Sequence, residues 1–172
     1  MKHRLVRLVA VGLAVTLGIY FNPCQAVAAE SVTNLSVANV TGQIDFDDPN
    51  MVWTTVGEGN ENARIVHLHS CSIGMGYSSE GLHMSFITNS SDRAEEIGVS
   101  DIKVQKKLGI FWSTVGTSVG AYETNSYDFG GSSLFTGVEY GSSYRVSCVH
   151  YAYINGQYVS LDNQTDWHEC TY

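Results

Sequence analysis

The sequence predicts an all-β protein, an antiparallel β-sandwich of about seven strands. Three observations carry this expectation. From Arg64 onward, short alternating or β-branched runs recur between glycine, serine and asparagine clusters, at the spacing of a sandwich. Asn155-Gly156 is a strong hairpin signal, because both central residues of a type I′ turn need positive φ. Helix signals are confined to Ser91-Asp92-Arg93-Ala94-Glu95-Glu96-Ile97, enough for a single turn. A length of 172 residues fits one compact domain and is too short for a TIM barrel. With 15% charged and 44% hydrophobic residues, the chain is neither a disordered acidic tail nor a coiled coil.

The first element is an export signal. Lys2, Arg4 and Arg7 precede an uncharged apolar run over 8–21, which is short for a bilayer span and right for a signal-peptide core. Ala26-Val27-Ala28 supplies the small-residue cleavage pattern, so residues 1–29 are expected to leave and the product to be secreted and extracellular. Cys24 follows Phe21-Asn22-Pro23 and lacks the small residue that would mark a lipid-modified cysteine. Residues 30–63 read as a polar, loosely ordered leader with one strand around Met51-Val52-Trp53. Residues 64–172 are the sandwich domain.

Within that domain the expected strands are 65–75, 81–88, 100–107, 110–117, 133–138, 143–154 and 157–161, with Lys107-Leu108-Gly109 as a tight hairpin. Alternation assigns their faces. Cys71, Ile73 and Met75 share parity, as do Leu82, Met84 and Phe86, and Ile102 with Val104. Tyr144, Val146, Cys148, His150 and Ala152 form another such set, and all of these can fill the space between two sheets.

The net charge is −8, and loss of the three signal-peptide bases takes it to −11. Only Arg64, Arg93, Lys103, Lys106, Lys107 and Arg145 remain as cations, so the surface as a whole is expected to repel nucleic acid and anionic membranes. No segment beyond the signal is apolar enough to span a membrane. Cys71, Cys148 and Cys170 stay in the secreted chain, an odd number. Shared inward parity favours a Cys71–Cys148 bridge over Cys71–Cys170, closing a loop that is worth roughly 4 kcal/mol in the chain-entropy model. Cys170 is then available for a covalent dimer. The absence of C-x-x-C removes zinc-ribbon and thioredoxin readings.

The stretch Val138-Glu139-Tyr140-Gly141-Ser142-Ser143-Tyr144-Arg145-Val146 resembles the corner of immunoglobulin and fibronectin type III domains. There a tyrosine opens a strand and hydrogen-bonds backward, and Tyr144 would be that tyrosine. Cys148 lies four residues beyond it, where antibody domains have two. Ile102-Lys103-Val104-Gln105-Lys106-Lys107, the following Trp112 and Gly141-Ser142-Ser143-Tyr144-Arg145-Val146 are similar to small secreted proteins of Gram-positive bacteria grouped as a domain of unknown function. The likeness spans roughly residues 71–159. It implies a secreted sandwich and brings no activity with it.

Chemistry-bearing patterns are few. Gly116-Thr117-Ser118-Val119-Gly120 matches the G-x-S-x-G nucleophile elbow, but no helix follows, so a glycine-serine segment is the better reading. His67, His69 and Cys71 would face one side of a strand and, with His150, make a zinc- or copper-type donor set; solvated histidines are the alternative that prevails. Asp45, Asp47 and Asp48 lack the glycine and distal glutamate of a calcium loop. Asn34, Asn39, Asn89 and Asn163 head glycosylation sequons, which matter only in a eukaryotic source. Tyr151, Tyr153 and Tyr158 remain: the first two share an outward face and the third follows the Asn155-Gly156 turn, so together they can stack on a sugar or meet a protein. The expectation is therefore a non-enzymatic extracellular binding protein without cofactor or metal. Its ligand would be a surface glycan, a protein or a second copy. A small secreted toxin or bacteriocin-like effector is the alternative.

Overall fold

The computed structural model describes residues 32–39, 51–57 and 67–171. The export segment, Cys24 and the acidic cluster at 45–48 lie outside the described residues. Among the described residues every regular element is a strand: β1 Thr33–Asn34, β2 Ala38–Asn39, β3 Met51–Val56, β4 Leu68–Ser78, β5 Gly81–Leu108, β6 Phe111–Phe135, β7 Ser143–Ile154, β8 Gln157–Gln164 and β9 His168–Glu169. Among the described residues they form one sheet in the order β1-β6-β5-β4-β3, with β2 on β6, β7 on β5, and β8 and β9 on β7. The sheet is mixed, because β1 runs parallel to β6.

The main departure from expectation is continuity. Segments 81–88 and 100–107 belong to one 28-residue strand, and 111–117 and 133–135 of the next two expected segments are the ends of one 25-residue strand, with 136–138 outside it. Residues 91–97, expected as a helical turn, are also strand. The reason lies in what flanks β5. Its first half pairs with β4, its second half with β7, and β6 accompanies both. Between the halves the β5–β6 register shifts from Asn89 to Ala94, and Ser91, Asp92 and Arg93 are exposed. Polar residues there mark a stretch with no layer above it, not a change of secondary structure.

Past this irregularity β4 comes close to β7 and β8, and β3 comes close to β8. Polar contacts cross the gap as well. The Tyr77 hydroxyl donates to the His168 carbonyl at 2.8 Å, and the Asn163 amide donates to the carbonyls of Thr54 and Cys71, both at 3.1 Å. The core between them takes Ile73, Met75, Leu82, Met84 and Phe86 from one half, and Ile97, Val99, Ile102, Val104 and Val146 from the other. Each such side chain contributes roughly 1.5–3 kcal/mol by leaving water.

Two turns fix the register. The long hairpin turns at Gly109-Ile110, one residue beyond the expected position, with Gly109 at φ 61°. Asn155 and Gly156 have φ of 51° and 72°, as a type I′ turn demands.

Candidate functional site

The outward face of the β6-β5-β7-β8 half is built row by row from the register. Gly98 lies opposite both Tyr122 and Tyr151, and Tyr151 lies opposite Ser160. One row along, Glu96 lies opposite Thr124 and Tyr153, and Tyr153 lies opposite Tyr158. Paired residues share a face, so four tyrosines and Glu96 gather on one surface.

The three tyrosines expected from the sequence form a single cluster. The Tyr151 and Tyr158 rings stack with centroids 5.8 Å apart, Tyr153 and Tyr158 tilt at 5.1 Å, and Tyr151 and Tyr153 meet edge-on at 6.4 Å. Their roles differ. Tyr151 is the floor, only 8% exposed, and its hydroxyl donates to the Glu96 carboxylate at 2.6 Å. Burial, and then the bond to Glu96, raise its pKa, so the phenol stays protonated. Tyr153 and Tyr158 are exposed, as is Tyr122 across Gly98. Glycine at 98 is required by close approach: an added Cβ would lie 2.3 Å from the Ala121 carbonyl oxygen and 2.8 Å from Tyr122 Cβ.

Further along the same face, from the Val149–Asp162 pair onward, lies a hollow of about 240 Å³ with mixed lining, including Asp101, Lys103, Ser147, Val149, Asp162 and Gln164. A bulge makes it. Ser100 pairs with Val149 and Lys103 with Ser147, so two residues of β5 stand opposite one of β7, and Asp101 takes φ 51°. Carboxylates, an ammonium and an amide thus share a face with the tyrosines, the Val149–Asp162 pair lying two residues from Tyr151 and four from Tyr153. Tyr122, Glu96, Asp101 and Asp162 were not anticipated from the sequence. Counting outward from the Gly109-Ile110 turn along an unbroken hairpin places Ala121 opposite residue 98, and the bulge between Val104 and Gln105 shifts the pairing by one to bring Tyr122 there.

The other candidates fall elsewhere. The His67-His69-Cys71 face is broken by a bulge between Leu68 and Ser70, which leaves His69 exposed and Cys71 buried. His67 instead bonds Asp92 at 2.7 Å, and that bond holds the Asp92 carboxyl below its usual range. No group of three or more metal-type donors occurs among the described residues. Gly116 to Gly120 lies inside continuous β6, where the Ser118 hydroxyl accepts the Gly120 N–H at 3.1 Å. Asn163 is a core residue whose amide holds two carbonyls, so that sequon is not displayed. Trp112 is half-buried and carries the Arg145 guanidinium over its ring at 4.3 Å.

The expected Cys71–Cys148 bridge is not formed: both sulfurs are buried thiols, and no two cysteines among the described residues lie within disulfide distance. Shared parity placed both in the core, but other side chains occupy the space. Asn163 holds the Cys71 carbonyl and lies 3.4 Å from His150 Nε2, while Cys148 Sγ lies 3.4 Å from the same nitrogen. Cys170, expected on the surface of a covalent dimer, is buried, with its backbone bonded to Gly141 and Ser142.

The described chain is thus an all-β protein with an aromatic and polar outer face. No family model, curated protein or solved structure matches it.

Proposed function

We propose that the chain is a secreted, sandwich-like binding protein of the immunoglobulin or fibronectin type III kind, and that its outer face takes a glycan outside a bacterial cell. The observation that carries this reading is the Tyr151-Tyr153-Tyr158 cluster on the same face as the hollow lined by Asp101, Lys103, Asp162 and Gln164. A sugar ring has an apolar face that stacks on exposed tyrosines, and hydroxyls that seek carboxylates, amides and ammonium groups. Tyr153 and Tyr158 supply the platform, and Asp101, Lys103, Asp162 and Gln164 supply the hydrogen bonds. Tyr144 at the corner and the packing of β3–β4 against β7–β8 support the sandwich reading.

A glycan array followed by calorimetry tests it. Tyr153→Ala with Tyr158→Ala should weaken binding by about tenfold or more, given about 0.5–1.5 kcal/mol per aromatic contact beyond area. Asp162→Asn should weaken it without altering the melting temperature. Saturable binding that ignores all three substitutions would remove the face from the argument. Lysis of indicator cells by the pure protein would favour the secreted-toxin alternative.

A further inference from the structure

The β5–β6 hairpin projects an apolar tip. Ile110 is 85% exposed and Phe111 71%, and Leu108 beside them is exposed too. A Cβ added at Gly109 would meet nothing within 4 Å, so the tip stands clear of the body. Contiguous apolar residues at a protruding end are unusual on a soluble surface. Two indoles flank the tip, each with a cation over its ring. Arg145 lies 4.3 Å from the centre of Trp112, and Lys107 lies 4.4 Å from the centre of the exposed Trp167. Trp167 belongs to the same end because the adjoining β9 pairs with Ser143 and Tyr144, and Tyr144 lies opposite Lys106.

Charge is distributed unevenly. Seventeen acids outnumber nine bases in the chain, yet residues 102–122 contain Lys103, Lys106 and Lys107 and no carboxylate. Acids stand around it: Asp101 adjoins the segment, Glu139 binds Lys106 at 2.8 Å, Asp166 precedes Trp167, and Glu169 pairs with Ser143. A convex tip has no walls to enclose a ligand, so it suits an apolar phase that deforms around it. Indoles at the boundary between polar and apolar media, with cations beside them, suit the headgroup level of a bilayer.

We propose that this tip docks on an anionic phospholipid surface. Ile110 and Phe111 enter the boundary of the acyl region, Trp112 and Trp167 lie at headgroup depth, and Lys107 and Arg145 face the phosphates. The contact is peripheral and spans nothing. Net acidity predicts repulsion, but at 0.1 M salt charges more than about 10 Å away are largely screened, so the hairpin's own cations decide the approach. The site is separate from the tyrosine face and stands whether or not that face binds a glycan.

The test uses vesicles of phosphatidylglycerol and phosphatidylcholine in equal parts, and of phosphatidylcholine alone, with parent and variants processed identically. The parent should sediment with the mixed vesicles and its tryptophan emission should move to shorter wavelength. I110D/F111D should lose at least tenfold in partitioning at an unchanged melting temperature, since both sites are exposed. K107Q should cost about fivefold on the anionic vesicles only. W112F/W167F should abolish the emission shift. Failure to sediment with either vesicle, or equal partitioning of I110D/F111D, would overturn the proposal. So would a dimer in sedimentation velocity that I110D/F111D dissolves without any vesicle binding, which would make the tip a contact between copies.

Discussion

The hydroxyl of Tyr144 accepts the backbone N–H of Glu139 at 2.9 Å, five residues back along the chain. The ring is wholly buried between Tyr77 and Phe135, at centroid distances of 6.4 and 6.2 Å. The Glu139 carboxylate meanwhile binds Lys106, so the loop between β6 and β7 is held by its backbone and its side chain at once. Tyr144→Phe removes only the hydrogen bond and should cost about 0.5–1.5 kcal/mol. Tyr144→Ala also empties the ring's site and should cost about 3–5 kcal/mol. Urea unfolding measures both. A Phe variant with the parental midpoint would mean that this bond contributes nothing to stability.

Much of this was legible in the residues, and the rest was hidden for identifiable reasons. Strand parity placed Ile73, Met75, Met84, Phe86, Val104 and Val146 inward, and the Asn155-Gly156 pair marked its turn. Tyr151, Tyr153 and Tyr158 were found by the same alternation. The union of 81–88 with 100–107 was not legible, because Ser91, Asp92 and Arg93 face water where the strand passes between two packing partners. Bulges were equally silent. The one between Leu68 and Ser70 and the one at Asp101 each shift a face by one residue while leaving composition untouched. The donor set at His67, His69 and Cys71 dissolved for that reason, and the hollow at Asp101 went unseen for the same one.

The cysteines give a second prediction. Burial pushes the Cys71 thiol up to about 12 and raises that of Cys148 further. At pH 8 neither forms appreciable thiolate, so iodoacetamide should leave both unlabelled in the native protein and modify both in denaturant. Non-reducing peptide maps should show Cys71 and Cys148 unbridged. A dominant Cys71–Cys148 peptide would show that the core closes more tightly around Asn163 and His150 than described.

Gly98 gives a third. Its absent side chain lets the β6 backbone approach until a Cβ would lie 2.3 Å from the Ala121 oxygen. Backbone cannot swing aside as a flexible side chain can, so Gly98→Ala should destabilise by roughly 1–3 kcal/mol through overpacking. It should also shift Tyr122, whose Cα and Cβ are the next nearest atoms. Thermal melting reports the first effect and the NMR signals of the Tyr122 ring the second. A variant that melts like the parent would place β5 and β6 further apart at this row.

The last prediction rests on His150, a wholly buried imidazole in the core. Thr88 donates its hydroxyl to the Gly98 carbonyl at 3.1 Å and so must accept from His150 Nδ1 at 2.8 Å. That assigns the proton to Nδ1 and leaves Nε2 as the acceptor facing Cys148 Sγ and the Asn163 amide. Protonating Nε2 would turn an acceptor into a donor opposite another donor, on a ring with no exposed surface. Burial accordingly lowers the pKa from 6.5 to about 3. In the unfolded chain the same histidine takes a proton below its ordinary value of about 6.5. Between these two values the unfolded state binds the extra proton, so stability rises with pH across that window. The contribution is complete above about 6.5 and is lost as pH falls toward about 3, with a limiting slope of roughly 1.4 kcal/mol per pH unit. Urea midpoints taken from pH 7 down to pH 4 should fall steadily for the parent. His150→Gln can still donate to Thr88 but carries no titrating proton, so its midpoints should fall less over the same range. Parallel curves for the two proteins would show that the acid sensitivity comes from carboxylates elsewhere and that His150 is reached by water.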